Sequence, residues 1–295
     1  MKKYLLLLLL IPFLTKLSAQ SDSLPVIKWK HNFQTGINLN QSSFSDNWKG
    51  GGVNSYAAGW FLNHVGTRES DKWALRSDLQ MALGFLENQG DKARKNSDRI
   101  FYDFKAGYKL NSKWNFFGSV NFLTQFIEGY DSKLKSKVNE TKDSLISNLF
   151  APAYLTSSFG MEYKPVPFLQ MRFGVGTLRQ TFVLDEKIAN AQLYGLKNPG
   201  DKVRNQAVLQ YVVNFDKELV KNINLKWRYM VNFDYFNASK PNAFVHIFNA
   251  NLTLKATKYI STNVAFNLIK DYDQDKNIQF SQVLALGVMY QYNRQ

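Results

Sequence analysis

The three histidines are the side chains of this sequence best suited to acid–base or metal chemistry, and they lie far apart. They are His31, His64 and His246. A hydrolase needs a nucleophile beside its histidine base, yet no serine stands two positions from any of them. No second histidine follows four residues later, and the chain has no cysteine. We therefore expect no metal site, no cofactor and no disulfide scaffold.

The charged side chains are a second set that could do chemistry, and they recur at every other position of extended segments. In residues 223–235 every odd position is apolar or aromatic, and every even position except Met230 is polar or charged. A period of two predicts a strand whose two faces meet different surroundings. The segment suits a tilted strand that crosses a membrane, which needs roughly 9–11 residues.

The same alternation recurs along the whole chain and defines the predicted fold. It predicts twelve strands, at 29–40, 53–64, 73–86, 99–110, 114–126, 154–164, 168–180, 206–215, 223–236, 244–256, 259–270 and 278–292. Short turns alternate with longer loops, which is how outer-membrane barrels are connected. The prediction is an all-β, antiparallel transmembrane β-barrel of about 12 strands, with both termini on the periplasmic, short-turn side.

The polar face of these strands places charged residues inside the predicted barrel. The lumen-lining charges are Arg76, Asp78, Arg99, Asp103, Lys105, Glu162, Arg172, Lys226, Arg228 and Asp234, joined by Lys30, Lys109, Lys164 and Lys255. Two interpretations remain open. Mutually paired ions would fill a narrow barrel, whereas a net positive wall around water would favour anions. We expect a filled or loop-plugged interior.

Aromatic residues mark the short-turn ends of the predicted strands. The set is Trp29, Trp73, Trp114, Phe168, Trp227 and Tyr259. Rings at this level are typical of the girdle at a membrane interface. The last strand carries Gly287, Tyr290 and Tyr292, a pattern similar to the C-terminal assembly signal of outer-membrane proteins. Simple girdle placement would also explain its two tyrosines.

The first residues predict export. Lys2 and Lys3 precede an apolar run, and Ala19 precedes a plausible cleavage position. We interpret 1–19 as a cleaved signal peptide rather than a membrane anchor, 20–28 as a periplasmic segment and 29–295 as the barrel. The formal net charge of +14 indicates contact with anionic head groups, lipopolysaccharide phosphates or anionic solutes rather than nucleic acid, although a generic basic surface is equally compatible.

Two connecting segments are candidates for interaction. Trp48, Gly50, Gly51 and Gly52 form a loop motif in which glycine permits close approach of another backbone. A flexible loop returning to the sheet is the alternative. The long segment 128–153 has a basic part followed by an apolar part, and we expect it to form a lid, plug or docking element.

Several blocks of sequence resemble a known family. They are 47–55, 124–131, 150–154 and 160–165. They are similar to an uncharacterised Bacteroidota outer-membrane β-barrel family, domain of unknown function 3078. The resemblance spans most of the mature chain. It implies an outer-membrane location and a barrel, and it supplies no activity and no site residues.

Three functions follow as hypotheses. The first is a non-enzymatic scaffold or accessory subunit of an envelope complex, which contacts lipopolysaccharide or protein partners and is inserted by the outer-membrane assembly machinery. The second is a narrow, anion-preferring channel for small solutes. The third is a surface lipid hydrolase that uses His31 or His246, both on the lipid-facing parity; it is the least favoured because no serine accompanies them.

Overall fold

The computed structural model describes residues 28–43, 45, 53–135, 143–238, 243–257 and 259–294, which form a closed antiparallel barrel of twelve strands. The barrel strands are β1 (Lys30–Ser42), β2 (Ser55–Glu69), β3 (Trp73–Asn88), β4 (Arg94–Lys109), β5 (Trp114–Thr124), β8 (Ala153–Val166), β9 (Leu169–Phe182), β10 (Val203–Val220), β11 (Ile223–Asp234), β12 (Phe244–Lys255), β13 (Ile260–Lys270) and β14 (Gln279–Arg294). The predicted strand number and antiparallel connectivity are confirmed.

The barrel closes between its first and last strands. β1 pairs with β14 from His31 opposite Arg294 to Asn38 opposite Gly287, so neither strand keeps a free edge. The first residues of β1 and the last of β14 therefore lie at the same end. We call this end, which carries the short connections, the turn end; the opposite end is the loop end. The predicted signal peptide, 1–19, and all of the predicted periplasmic segment 20–28 except Lys28 lie outside the described residues.

The alternation of apolar and polar residues gives the barrel wall two different faces. Large apolar side chains are exposed on the outside of every part of the barrel, for example Ile37, Phe116, Phe159, Leu284 and Val288. Polar and charged side chains on the inner face are often buried instead. An apolar outside around a polar inside is the reverse of a soluble protein and is the distribution of a membrane barrel.

A β-bulge in β9 changes which positions face inward. Phe159 of β8 pairs with Gly176 and the next residue pairs with Gly174, so Val175 is left over. An extra residue reverses the alternation beyond it. Val175 is 57% exposed, whereas Arg179, four positions after Val175, is buried in the interior together with Arg172 before it.

Two connections at the loop end fold into a small cap. The long segment after β5 contains a hairpin of β6 (Gly129–Lys135) and β7 (Asp143–Ser147). The connection after β9 contains helix α1 (Glu186–Asn190) and a 3₁₀ turn (Leu193–Gly195); a second 3₁₀ turn (Tyr235–Asn237) follows β11. Apolar side chains join the first two connections, a cluster made of Ala151, Val183, Ile188, Ala189 and Leu196, with Leu145, Leu193 and Tyr194 packed against it.

No helix in the described part of the chain is both long and apolar enough to cross a bilayer.

Candidate functional site: the barrel interior

A buried carboxylate organises the turn half of the interior. Glu162 of β8 is fully buried and contacts Lys105 of β4 through its Oε2 and Lys164 through its Oε1, the latter at 3.3 Å. It also accepts hydrogen bonds from Asn115 at 2.9 Å and from Gln170. Each of its oxygens therefore has at least two polar partners, which is how a buried charge becomes tolerable.

Two aspartates form a central cluster with four cationic side chains. Asp78 accepts from Arg76 at 3.1 Å and lies 3.8 Å from the Lys226 ammonium. Asp103 lies 3.4 Å from Arg172 Nη2. It also lies 3.8 Å from Arg228 Nη1. Both aspartates are buried.

These central ion pairs join opposite walls of the barrel. In the strand order, β3 and β11 are six strands apart in either direction, so the Asp78–Lys226 pair spans the full width of the interior. The Asp103–Arg228 pair joins β4 to β11. Side chains that meet from opposite walls leave no wide central passage at this level.

A second set of contacts crosses the interior at the loop end. The connection between β13 and β14 reaches back to β8, β9 and β10: Gln274 donates to the Tyr154 hydroxyl at 3.3 Å. Arg179 lies 3.7 Å from Asp271, and Arg204 pairs with Asp273. The surrounded space is too small for a water-sized solute. We call these six residues the mouth latch.

Two parts of the wall differ in charge. The part of the wall built by β12, β13 and β14 presents mainly neutral polar groups, with Asn249 bonded to Asn267 at 2.8 Å and Thr253 bonded to Asn263 at 2.9 Å. The charged residues described above come chiefly from β3, β4, β8, β9 and β11. Around the three central carboxylates Asp78, Asp103 and Glu162 stand seven cations: Arg76, Arg99, Lys105, Lys164, Arg172, Lys226 and Arg228. The interior therefore carries an excess of positive charge.

The structure thus brings together nine of the ten predicted lumen charges, from Arg76 to Arg228 along the chain. The tenth, Asp234, lies apart at the loop end, where it accepts from Gln206 and from Asn237, both at 2.9 Å. Of the other inward lysines, Lys109 contacts Glu69 at 3.3 Å and Lys255 donates to Gln291 at 2.8 Å.

Sequence reasoning missed Arg204, Asp271 and Asp273 of the mouth latch, and it missed three further interior residues. Phe101 and Phe117 are buried on the polar face of β4 and β5. The Arg99 and Arg228 guanidiniums lie 4.9 Å and 5.5 Å from the Phe101 ring centre. Both residues have odd numbers, whereas the outward-facing rings of 99–110 and 114–126 have even numbers. The alternation therefore already placed Phe101 and Phe117 on the inner face. Arg179, the third, was hidden by the bulge.

The predicted girdle residues lie on the outside near the turn end. Trp114 stacks on Tyr163 at 4.5 Å between ring centroids, and Trp73 meets Tyr108 edge-on at 5.3 Å. Further pairs continue this belt, Phe168 with Phe215 and Phe215 with Trp227. Trp29 stacks near His31, and Tyr259 is half-exposed.

The predicted C-terminal signal divides between the two faces. Tyr290 and Tyr292 point outward and are exposed. Gly287 faces inward, where a Cβ would overlap Asn38 Oδ1 and lie 2.7 Å from the Ile37 carbonyl oxygen. A side chain at this position would therefore crowd the strand pair that closes the barrel. The loop motif of Trp48, Gly50, Gly51 and Gly52 lies outside the described residues.

The histidines lie on the outer face and bond to aromatic groups. His31 Nδ1 is 3.1 Å from His64 Nε2, and His246 Nδ1 is 2.9 Å from the Tyr229 hydroxyl. In these contacts neither His31 nor His246 meets a serine hydroxyl.

Two titratable groups stabilise the cap. Tyr194 donates its hydroxyl proton to the Ile146 carbonyl oxygen at 2.6 Å, and burial raises the pKa of Tyr194 to about 12. Burial raises the pKa of Asp185, but hydrogen bonds from Asn148 and from the Ile188 and Lys187 amides outweigh it and hold this pKa below its usual range. The cap therefore contains a carboxylate that favours its charged form.

One family model matches part of the chain. It is described as a protein of unknown function, DUF3078, and covers residues 39–130. The resemblance is confirmed over that range, which is narrower than most of the mature chain. No curated protein matches the sequence.

Several solved membrane barrels are similar in fold. The translocator domain of the autotransporter NalP from Neisseria meningitidis is 10% identical, with 89% of this chain and 86% of that chain covered and a TM-score of 0.37. The NanC porin is 8% identical, with 90% of this chain and 100% of that chain covered and a TM-score of 0.38. An outer-membrane channel from Pseudomonas putida F1 is 8% identical, with 92% of this chain and 97% of that chain covered and a TM-score of 0.40. At such values the similarity says nothing about function.

Proposed function

We propose that this protein is an integral β-barrel of the outer membrane with a closed interior, and that it serves as a non-enzymatic scaffold or accessory subunit of an envelope complex. The ion pairs between opposite walls carry the proposal. Asp78 with Lys226 and Asp103 with Arg228 cross the middle of the interior, and the mouth latch crosses the loop end.

The outer surface supports the membrane location. Exposed apolar side chains surround the wall, and aromatic rings gather near the turn end, as expected where a barrel meets lipid and its interface. In this proposal 1–19 is the cleaved signal, the turn end and both termini face the periplasm, and the source is a Gram-negative member of the Bacteroidota.

The cap supports a role at the cell surface. Its apolar cluster gives the loop end a packed structure of its own, so it offers a shaped surface rather than separate loops. Lipopolysaccharide and other envelope proteins are the proposed partners, because the chain is basic and anionic head groups attract such surfaces.

The non-enzymatic part of the proposal rests on the histidines. His31 and His246 bond to His64 and Tyr229, so in these contacts neither meets the serine of a typical lipid hydrolase. We expect purified protein to release no fatty acid from lipid A or phospholipid. Turnover that is lost on His31→Ala or His246→Ala would instead establish the hydrolase.

Planar-bilayer recording tests the closed interior. The purified full-length barrel, reconstituted at low density, should give no steady conductance steps. A second candidate, the anion-preferring channel, is favoured by the seven cations around three carboxylates. Steady steps with anion selectivity would replace the scaffold proposal with that one. Heat-modifiable gel migration in the same preparation confirms that folded barrels were tested.

A further inference from the structure

Three arginines from different strands gather in the middle of the barrel, near two aspartates. Arg172 of β9 and Arg228 of β11 lie beside Asp103 of β4, and Arg99 of β4 is within electrostatic reach of Arg228 and of Asp78. Arg172 and Arg228 approach the same oxygen, Asp103 Oδ2, at 3.4 and 3.8 Å. Arg228 is within electrostatic reach of both other guanidiniums. We call these four residues the arginine triad and its aspartate.

The charges of this group do not balance. Asp103 and Asp78 supply two negative charges, against the three guanidiniums and the Arg76 and Lys226 cations that contact Asp78. Within the described part of the chain Arg99 makes no ion pair within 4 Å; its guanidinium lies 4.9 Å from the Phe101 ring centre and within electrostatic reach of Asp78. Buried charge without a counter-ion is costly, because the interior solvates it poorly. The triad is therefore short of negative charge.

The unsatisfied atoms indicate what kind of anion would complete it. The Nε–H groups of Arg99 and Arg172 are buried donors with no hydrogen-bond partner. Asp103 Oδ1 is a buried acceptor with none. Arg172 and Asp103 are each more than nine-tenths buried. A matching ligand must accept hydrogen bonds from guanidinium groups and also donate one to a carboxylate.

A phosphate group has this combination of properties. Its ionised oxygens accept from guanidinium groups in the forked geometry that arginine favours. Inorganic phosphate at neutral pH always retains a P–O–H that can donate to Asp103 Oδ1, whereas a phosphomonoester, with a second pKa near 6, retains one only in its minor, protonated fraction. Sulfate offers the same acceptors with no proton, and chloride offers neither geometry nor proton.

We propose that the arginine triad and Asp103 form a binding site for a phosphate group inside the barrel, held by Arg99, Arg172 and Arg228 and recognised through a proton donated to Asp103. The ligand is inorganic phosphate or a small phosphomonoester. Arg228, 21% exposed in its side chain, and the more exposed Lys226 and Arg76 mark the side from which it enters.

The site does not depend on the scaffold proposal. A barrel that conducts ions and binds phosphate would contradict the closed interior and keep the site. A closed barrel that binds no phosphate would support the closed interior and contradict the site. Bilayer recording and equilibrium binding can therefore contradict the two proposals separately.

Equilibrium dialysis on the full-length barrel in detergent tests the site, with radiolabelled inorganic phosphate in a buffer free of other oxyanions. We expect saturable binding that unlabelled phosphate displaces and that sulfate, at matched ionic strength, displaces at least about tenfold less well, as expected for loss of one charged hydrogen bond. Displacement by glucose 6-phosphate would identify phosphomonoesters as ligands; failure to displace would restrict the site to inorganic phosphate.

Two variants and one control connect binding to the triad. Arg99→Gln should weaken phosphate binding roughly tenfold or more. It removes no ion pair found among the described residues, so the barrel should still fold. Asp103→Asn should lower the ratio of phosphate affinity to sulfate affinity, because the asparagine amide can donate a hydrogen bond to sulfate and the Asp103 carboxylate cannot. Lys255→Gln, which removes an inward cation bonded to Gln291, should bind as the unaltered protein does.

The contradicting results are equally specific. If the unaltered protein binds no more phosphate than sulfate or chloride at equal ionic strength, water satisfies these atoms and the site does not exist. If Arg99→Gln binds phosphate with unchanged affinity, any phosphate bound lies elsewhere. Heat-modifiable migration of each variant shows whether a loss of binding reflects the site or the fold.

Discussion

Glu162 shows, for a single residue, how the polar interior contributes to the stability of the barrel. Its carboxylate is fully buried and contacts Lys105 and Lys164, and Asn115 and Gln170 donate to it as well. Burial makes such a group expensive by itself, and the surrounding donors offset that cost. Removal of one partner therefore has a larger effect than removal of the whole pair.

Glu162→Gln should destabilise the barrel by about 3–5 kcal/mol, because Lys105 would stay buried without a counter-ion. Urea unfolding in detergent, followed by tryptophan fluorescence, measures the change. The matched control is Glu69→Gln. Glu69 is 64% exposed and contacts Lys109 at 3.3 Å, and exposed pairs contribute about 0–1 kcal/mol. Equal shifts in the two variants would show that burial at Glu162 has no energetic importance.

Gly287 carries a second residue-scale prediction. An added Cβ would lie 2.7 Å from the Ile37 carbonyl oxygen across the closing strand pair, so Gly287→Ala should cost about 1–3 kcal/mol through overpacking. The folded, heat-modifiable fraction after refolding into detergent measures it. Gly118→Ala is the control, since a Cβ there meets nothing within 4 Å. If both variants refold alike, the glycine is not required for closure.

At the scale of elements, alternation predicted the strands because inside and outside differ in polarity along the whole barrel. All twelve predicted segments correspond to barrel strands. The failures have local causes. The bulge at Val175 reversed the face of Arg179, and a bulge depends on backbone geometry that glycine allows but does not dictate. Contacts between opposite walls, such as Asp78 with Lys226, could not be predicted, because period two gives the face and not the stagger between strands.

The cap provides a pH prediction at this scale. Asp185 accepts from the Lys187 amide at 2.9 Å and the Ile188 amide at 3.3 Å, and from Asn148 at 3.0 Å. Because the folded-state pKa of Asp185 lies below its ordinary value of 3.8, its stabilisation is present above that value and is lost as pH falls through the folded-state pKa. The start of α1 should therefore loosen only in acid.

Hydrogen exchange of the Ile188 amide, corrected for its intrinsic pH dependence, measures this loosening. Protection should be constant from neutral pH to about pH 5 and should fall below the ordinary carboxyl pKa. Asp185→Asn keeps an acceptor oxygen without the titrating charge, so its protection should not vary over the same range. A fall of equal size in the variant would assign the effect to another group.

At the scale of the whole molecule, the barrel is closed twice by different means. The central pairs join β3 and β4 to β11, and the mouth latch joins the β13–β14 connection to β8, β9 and β10. Two closures in series predict that opening either one leaves the barrel shut. The prediction distinguishes this arrangement from an open pore that is merely narrow.

The central closure can be removed with little damage to its partners. In Lys226→Ala/Arg228→Ala, Asp78 keeps Arg76 at 3.1 Å and Asp103 keeps Arg172 at 3.4 Å, so no carboxylate is left unpaired. The mouth can be opened by replacing residues 271–278 with a short Gly-Ser turn. We expect neither change alone to give steady steps in planar bilayers.

The two changes combined should conduct, because they remove both barriers from one path. Anion preference should persist in the combined variant, since Arg76, Arg99, Lys105, Lys164 and Arg172 still outnumber the three carboxylates. Adding Lys255→Ala to the loop replacement is the control; it removes a cation that pairs within its own side of the wall and should stay silent. Conduction from either single change would mean that only one closure exists, and silence of the folded combined variant would mean that a third lies elsewhere in the barrel.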